Sequence, residues 1–312
     1  MSNQPRRKAT SLSLTVVALS AFALSAVACT SAGASSGPSS SPAPSAAPST
    51  PPSATPNADA IDHPTGATDV ILRYDEGGGF VMASYAATML PPFTLYGDGT
   101  IVFRDPTLEL PPMEGSIGKA NPMRTAKLTE AQIQDVLKLA LVDGGLATAR
   151  PEYMDMQVAD AGTAIFTVNA GGLTKVVSVY ALGIDPPTAG PDAAARAAFA
   201  KLAESLTSIE KGGAITASDY APTAYRGILM DAADVTDPGV KAWPWTDLTP
   251  ADFVPAADPN GLQFPHHTLT PDEVAALGVT GFEGGLQNVT LTGPDGKTYT
   301  LSTRPLLPDE TE

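Results

Sequence analysis

Beyond residue 66, short runs of alternating apolar and polar residues flank glycine-containing turns, which is the pattern of antiparallel hairpins. The clearest case is Asp98-Gly99, since this dipeptide between two β-rich runs favours a tight turn. The same reasoning predicts a second hairpin around Gly171-Gly172 and a third around Asp295-Gly296. The predicted strands are residues 70–74, 93–96, 100–104, 164–169, 173–182, 225–230, 289–291 and 298–303.

Two longer segments have helical spacing instead. Thr129 and Gln132 form a capping box, and apolar residues follow at positions that share one helical face. A second helix is predicted over residues 191–209, with Phe199, Leu202 and Leu206 on one side. Helices that pack on a mostly antiparallel sheet predict an α+β fold.

The C-terminal third carries strands and one short predicted helix that starts at Thr270 with a capping box. We therefore predict an α+β lobe over residues 66–212 and a smaller β-rich lobe over residues 213–312 packed on the first. A proline-rich stretch from Pro106 to Pro122 is predicted to be irregular.

The first 28 residues have the layout of a secretory signal. Arg6, Arg7 and Lys8 precede an uncharged apolar stretch, and small residues come directly before Cys29. Cys29 is the single cysteine of the chain and lies where a lipoprotein signal peptide is cleaved. We expect Cys29 to carry a diacylglycerol anchor, which places the protein on the extracytoplasmic face of the cell membrane.

Residues 29–65 are dominated by Ser, Pro, Ala and Thr and predict a disordered tether. At about 3.1 Å per residue, such a proline-stiffened segment reaches on the order of 100 Å. His63 falls in this segment and is expected to be solvated.

Charge argues against one class of partner. The formal net charge is −15 and becomes −18 if Arg6, Arg7 and Lys8 are removed with the signal. Such a surface repels phosphate backbones, so nucleic acid is not an expected partner. With Cys29 acylated no thiol remains for a disulfide, a thiolate metal site or a nucleophile, and no cofactor is predicted.

Four sequence blocks carry a resemblance to known proteins. They are residues 93–100, 166–172, 179–183 and 304–310. Together they resemble signature blocks of a family of uncharacterised bacterial exported proteins and lipoproteins, over most of residues 69–310. The resemblance implies one integrated unit. That family has no assigned activity, so the resemblance implies no catalytic residue.

Isolated residues match parts of catalytic motifs. Ser116 and Lys119 match the Ser-x-x-Lys pattern of penicillin-recognising enzymes, but Gly118 and nearby prolines predict a loop where that motif needs a helix. His266 and His267 are neighbours, so on an extended strand they point to opposite faces and suit a shared metal poorly. We interpret these matches as chance.

Calcium binding in acidic loops is a further hypothesis. The candidate ligands lack the spacing that wraps an ion, and turn or capping roles are the preferred interpretation. They are Asp155, Asp160, Asp185, Asp258 and Asn260.

The aromatic pair Trp243 and Trp245 is the candidate binding surface, since two rings in a loop suit a sugar or a protein partner. The alternative, which we favour, is that these rings fill the core of the C-terminal lobe. The function predicted overall is a non-enzymatic interaction module tethered at the cell envelope. The alternative is a hydrolase of cell-wall or extracellular polymer.

Overall fold

The structure is a computed structural model that describes residues 60–154, 158–184, 190–232, 239–255 and 264–310. Cys29 and the tether up to residue 59 lie outside these residues, so the lipid anchor stays a prediction. Asp155, Asp185, Asp258 and Asn260 also lie outside them. None of the helices in the described ranges has the length and apolarity that a bilayer crossing requires.

The described residues form strands, α-helices and a few tighter turns. The strands are β1 (Val70–Gly78), β2 (Phe93–Tyr96), β3 (Thr100–Phe103), β4 (Gly118–Lys119), β5 (Arg124–Lys127), β6 (Glu152–Tyr153), β7 (Gly162–Ala170), β8 (Leu173–Tyr180), β9 (Ser218–Asp219), β10 (Tyr225–Asp231), β11 (Lys241–Ala242), β12 (Val254–Pro255), β13 (Pro265–Leu269), β14 (Leu286–Thr292) and β15 (Thr298–Pro305). The α-helices are α1 (Ala83–Thr88), α2 (Glu130–Lys138), α3 (Ala193–Thr207) and α4 (Pro271–Ala275). A π-helical turn, Leu139–Asp143, extends α2, and 3₁₀ turns lie at Ile209–Gly212 and Pro250–Asp252.

The first sheet has eight strands in the order β6-β8-β7-β1-β2-β3-β5-β9. Its neighbours are antiparallel except for the β6–β8 pair. The predicted hairpin at Asp98-Gly99 is confirmed, with Phe93 opposite Phe103. The hairpin of β7 and β8 is also confirmed, with Phe166 opposite Val177.

Both longer predicted helices are present and cover this sheet. Thr129 caps α2 through the predicted box, in which its side chain accepts from the Gln132 amide. Because the apolar residues of α2 and α3 recur on one face, they reach the sheet together. Phe199 of α3 stands 5.8 Å from Phe166 of β7, centroid to centroid. The α+β fold class predicted from the sequence is thus confirmed.

The second sheet has seven strands, with the order β11-β14-β15-β10-β13-β12 and β4 paired to β14. The predicted hairpin of β14 and β15 is present around Asp295-Gly296. Sequence reasoning did not predict β5 or β13, because each lacks the long apolar alternation that marks a strand.

Two short strands each pair with the sheet that is formed mainly by the other half of the chain. Strand β4 comes from the stretch predicted to be irregular, and it pairs with the second sheet. Strand β9 lies beyond residue 212 yet pairs with β5 in the first sheet. The C-terminal residues return to the first sheet, where Leu307 packs with Tyr96, Val102 and Met123 in a third apolar cluster. The described residues, from 60 to 310 with their gaps, belong to one compact unit.

The folded part begins before residue 66. The Gln134 side chain bonds both the amide and the carbonyl of Ile61, and Ile61 packs against the first core. The Asp62 carbonyl accepts from the Gly171 amide at 2.7 Å. The expectation that His63 is solvated is wrong, because its side chain is 5% exposed and bonds Pro64. The described end of the predicted tether is therefore held by tertiary contacts that its composition does not reveal.

Candidate functional site

The two tryptophans of the candidate binding surface are half-buried against the second core. Their rings meet edge to face at 5.0 Å, and Trp243 also contacts Phe253 and Tyr299. The Trp243 Nε1 donates to the Leu248 carbonyl and the Trp245 Nε1 to the Glu273 carbonyl. Both indole N–H groups are thus used inside the protein, an arrangement suited to closing a core.

The residues that matched catalytic motifs do not converge. Ser116 sits in a turn and Lys119 in strand β4, where its Nζ pairs with Glu114 at 3.1 Å. His266 and His267 follow one another on β13, and His267 packs on Phe253. Within the described ranges, no group of three His, Cys, Asp or Glu side chains is arranged to hold a metal ion.

Asp98 and Asp295 hold the two Asp-Gly turns. Asp98 accepts from the Thr100 amide and pairs with Lys127. Burial would raise the pKa of Asp98, but the Lys127 ammonium and the bonds from Thr100 outweigh it and lower that pKa. Asp295 accepts from the Lys297 amide and from the Tyr299 hydroxyl, which lowers the pKa of Asp295. Both carboxylates are occupied by their own turns.

A different region exposes apolar side chains. Strand β1 ends in Gly77-Gly78-Gly79, and the chain then turns outward, with the Phe80 amide on the Asp160 carbonyl. Positive φ angles at Gly78 and Gly79 suit glycine at this turn. Phe80 is left 93% exposed, and Met82 and Tyr85 follow it on the surface.

Two hollows open beside these side chains. The first, here the inter-sheet cavity, has a volume of about 500 Å³ and lies between residues of both sheets. The second, the glycine-loop hollow, has about 390 Å³ and lies against Gly77-Gly78-Gly79. Glu76, Tyr85 and Met89 line both, so the two hollows are neighbours. We call the exposed apolar side chains that line them the Tyr85 surface; they are Phe80, Val81, Tyr85, Leu110, Met113 and Ile184.

Polar groups converge on the inter-sheet cavity from both sheets. Arg104 and Glu76 come from the first sheet side, and Lys119, Gln287 and Asn288 from the second. The Gln287 amide donates to the Thr88 hydroxyl at 3.1 Å and so ties α1 to β14. A mostly apolar hollow with a few convergent polar groups is the usual form of a small-molecule site.

Asn288 reaches this cavity through an irregularity of β14. The register between β14 and β15 shifts between Leu286 and Val289, which is the mark of a β-bulge. Asn288 has a φ of 62°, in the left-handed region that asparagine tolerates better than most residues. Bulges re-aim side chains and are frequent beside functional sites, which agrees with the place of Asn288 in the cavity wall.

Glu76 lies where the two hollows meet. Its carboxylate accepts from the hydroxyl of Tyr74, a residue of the first core. Burial and this bond to Glu76 raise the pKa of Tyr74 well above its ordinary value, so the hydroxyl stays protonated. The Tyr74 hydroxyl therefore orients the Glu76 carboxylate at the wall of both hollows.

A third hollow of about 660 Å³ lies on the second sheet, between Met230, Phe253 and Tyr299. Two of its polar side chains are bonded to each other, as the Tyr299 hydroxyl donates to Asp295, and the Thr249 hydroxyl donates to Asp252. Burial and the bond to Asp295 raise the pKa of Tyr299 to about 12. The described walls of this hollow thus offer fewer free polar groups than the inter-sheet cavity.

Comparison with known proteins gives no relative. No protein-family model matches the chain, no curated protein matches it, and no solved structure matches its fold.

Sequence reasoning missed the residues of the Tyr85 surface. One signal was available, because Phe80-Val81-Met82 is an apolar run after three glycines with no partner run of its own. A second was Leu108, Leu110 and Met113, which place apolar residues in a stretch predicted to lack regular structure. Neither signal says that the two segments meet, since Met82 and Leu108, their nearest residues, are 26 positions apart.

Proposed function

We propose that this protein is an exported, lipid-anchored binding module of the bacterial cell envelope, and that it binds through the Tyr85 surface. The observation that carries the proposal is the exposure of Phe80 at 93%, Leu110 at 72% and Met113 at 63% beside two adjoining hollows. Burying such side chains in a complex releases free energy that the isolated protein leaves unused.

The proposed cellular location follows from the N-terminal sequence. A signal peptide that ends before Cys29 and an acyl anchor on that cysteine would hold the chain at the outer face of the membrane. The Ser- and Pro-rich segment after Cys29 would then hold the binding surface away from the bilayer. This arrangement suits a module that meets partners in the envelope.

The hydrolase alternative has less support. Such an enzyme needs a nucleophile with its base, or two carboxylates on either side of a cleft. The Ser116 and Lys119 pair lies on a turn and a short strand, and Lys119 is paired with Glu114. In the inter-sheet cavity Glu76 is the one carboxylate among the described lining residues.

Photo-crosslinking in cells tests the binding surface. A photoreactive phenylalanine analogue placed at Phe80 is expected to give a discrete covalent adduct, because this side chain stands free in solvent. The matched control position is Val142, which is 63% exposed but lines neither hollow. Identical products from both positions, or no adduct at Phe80, would contradict the proposal.

The anchor is tested separately by fractionation. The Cys29→Ser variant is expected to be exported but to appear in the soluble fraction, because its side chain has no sulfur to acylate. Complete retention of this variant with membranes would contradict the lipoprotein part of the proposal and leave the Tyr85 surface untouched.

A further inference from the structure

Several arginines of this protein pair with a carboxylate, and Arg104 does not. Arg73 pairs with Asp309, Arg150 with Asp192, and Arg304 with Glu310, each at 2.7 Å or less. In the described part of the chain, no carboxylate lies within ion-pair distance of Arg104. The chain has 33 acidic against 18 basic residues, so an arginine without an acidic partner stands out.

The backbone holds Arg104 at the cavity wall. Arg104 follows β3 directly, and its amide donates to the Pro92 carbonyl at 2.9 Å. The side chain is half-buried and lines the inter-sheet cavity together with Pro92. A guanidinium carries five donors in a planar fork that matches a carboxylate, and partial burial strengthens such a pair.

A second cation lies in the same wall. The Lys119 side chain is 9% exposed, and its partner Glu114 is 45% exposed. Because the Glu114 side of this pair is exposed to solvent, another anion can take the place of Glu114 on Lys119. Counting Glu76 as well, the lining carries two cations and one anion, which suits a singly charged acid better than a doubly charged phosphate.

Much of the remaining wall is apolar. Its apolar side chains come from two segments of the chain, namely Met89, Leu90 and Pro92 from one and Leu110, Pro111 and Met113 from the other. Methionine side chains adapt their shape to a ligand, which suits a binding wall. The volume of about 500 Å³ falls within the range of small-molecule sites.

We propose that the inter-sheet cavity binds a small amphipathic carboxylate, with its acid group on Arg104 and Lys119 and its apolar body between Met89 and Met113. This inference rests on the proposed function, because it assigns a ligand class to one part of the Tyr85 surface. Asn288, which lies at the bulge, adds an amide to the lining of the same cavity.

Methyl NMR of the full-length chain labelled at methionine tests the proposal. The probe is decanoate; decanol supplies the apolar body without the charge, and acetate the charge without the body. Decanoate is expected to shift the Met89 and Met113 methyl signals, because both side chains line the cavity. Met123, which is buried, and Met230, which lines the third hollow, are expected to stay in place. Met→Leu variants assign each signal.

Arg104→Gln tests the anchor of the acid group. This variant is expected to weaken decanoate binding by about tenfold or more, because a charge-assisted hydrogen bond is lost. Lys127→Gln is the matched control, as it removes an exposed cation that pairs with Asp98 and lines neither adjoining hollow. Unchanged Met123 and Met230 signals show that each variant is folded.

Several results would overturn the inference. Decanol binding as tightly as decanoate would remove the role of Arg104, and acetate binding as tightly would remove the role of the apolar wall. Decyl phosphate binding more tightly than decanoate would assign the site to phosphates. Absence of any Met89 or Met113 shift would remove the cavity as a carboxylate site, while the Phe80 adduct would still report on the proposed function.

Discussion

The two sheets of this protein bury their apolar faces by different means. The first sheet is covered by two amphipathic helices, which bring Leu137 and Phe199 into the first core. Within the described residues the second sheet has only the short helices α1 and α4 beside it, and its core is closed in large part by Trp243, Trp245 and Phe253. Helical periodicity is visible in a sequence, whereas an aromatic loop that closes a core has no period. The helices that cover the first sheet were therefore predicted together with their apolar residues. Closure of the second core by Trp243 and Trp245 was one of two interpretations that the sequence left open.

The same comparison holds for the two Asp-Gly turns. Gly99 and Gly296 both have positive φ, as the dipeptide predicts. A Cβ on Gly99 would stand 2.6 Å from the Leu128 carbonyl oxygen, whereas a Cβ on Gly296 would meet nothing within 4 Å. The same Asp-Gly motif therefore forms both turns, but the packing around each glycine decides how well the turn tolerates a substitution.

The largest expected effect on stability distinguishes the helices that cover the first sheet from the aromatic loop that closes the second core. Phe199→Ala should lower the free energy of unfolding by about 3–5 kcal/mol, because it opens a cavity in a fully packed core. Trp243→Ala should cost about 1–3 kcal/mol, since the ring is already half-exposed. Urea melts of the two variants measure the difference. Phe80→Ala serves as control, with a change within about 0.5 kcal/mol. Equal losses for Phe199 and Trp243 would mean that the aromatic loop supports its sheet as firmly as the helices do.

Substitution at the two turns is the next effect. Gly99→Ala should cost about 2–3 kcal/mol, since backbone strain adds to the contact with the Leu128 carbonyl. Gly296→Ala should cost about 1 kcal/mol, which is the strain alone. Denaturant melts measure both. If the two losses are equal, the contact with Leu128 is relieved by a small shift and the comparison between the turns fails.

A third effect concerns the C-terminal residues, which join the two sheets. Arg304, itself buried, bonds both oxygens of Glu310, and the Leu307 amide adds a third bond. Burial would raise the pKa of Glu310, but these bonds outweigh it and lower that pKa from its ordinary value. A carboxylate with a lowered pKa stabilises the folded state above its unfolded pKa and loses that contribution as the pH falls through the folded value.

We therefore expect stability to fall as the pH is lowered from about 5 to 3, and Glu310→Gln to remove part of that dependence. At pH 7 this variant should cost about 1–3 kcal/mol, because Arg304 loses a charged partner. Asp75 acts in the opposite sense, since burial raises its pKa and protonation in acid relieves that cost. Thermal melts across this pH range test the expectation. A Glu310→Gln slope equal to that of the unmodified protein would contradict it.

The smallest effect distinguishes the aspartates of the turns. Asp98→Asn should cost at most about 1 kcal/mol, because asparagine suits the same turn and the lost pair with Lys127 is partly exposed. Asp295→Asn should change stability still less, as its carboxylate is exposed to solvent. Melts with and without a chelator measure this difference. A chelator effect equal to the Asp98→Asn loss would mean that Asp98 holds an ion.

Several elements of both halves of the molecule could be predicted because their signals are local. The capping residues at Thr129 and Thr270 are confirmed, and both Asp-Gly hairpins form as expected. The order in which distant strands pair could not be predicted. Strand β4 has two residues and pairs with Leu286 and Gln287, more than 160 positions away. No period or turn signal in the sequence encodes a contact of that kind.

The sequence by itself determined the two longer helices, the short helix after Thr270 and the hairpins, because capping, turn chemistry and periodicity act over a few neighbouring residues. It also determined the acidic charge and the single cysteine behind the predicted anchor. The tertiary structure alone decided that Tyr85, Leu110 and Met113 line one cavity, that Phe80 lines the hollow next to it, and that Arg104 faces the cavity without a carboxylate partner. The physical reason is that burial and charge pairing depend on distances between segments far apart in the chain, and those distances exist only once the two sheets have packed.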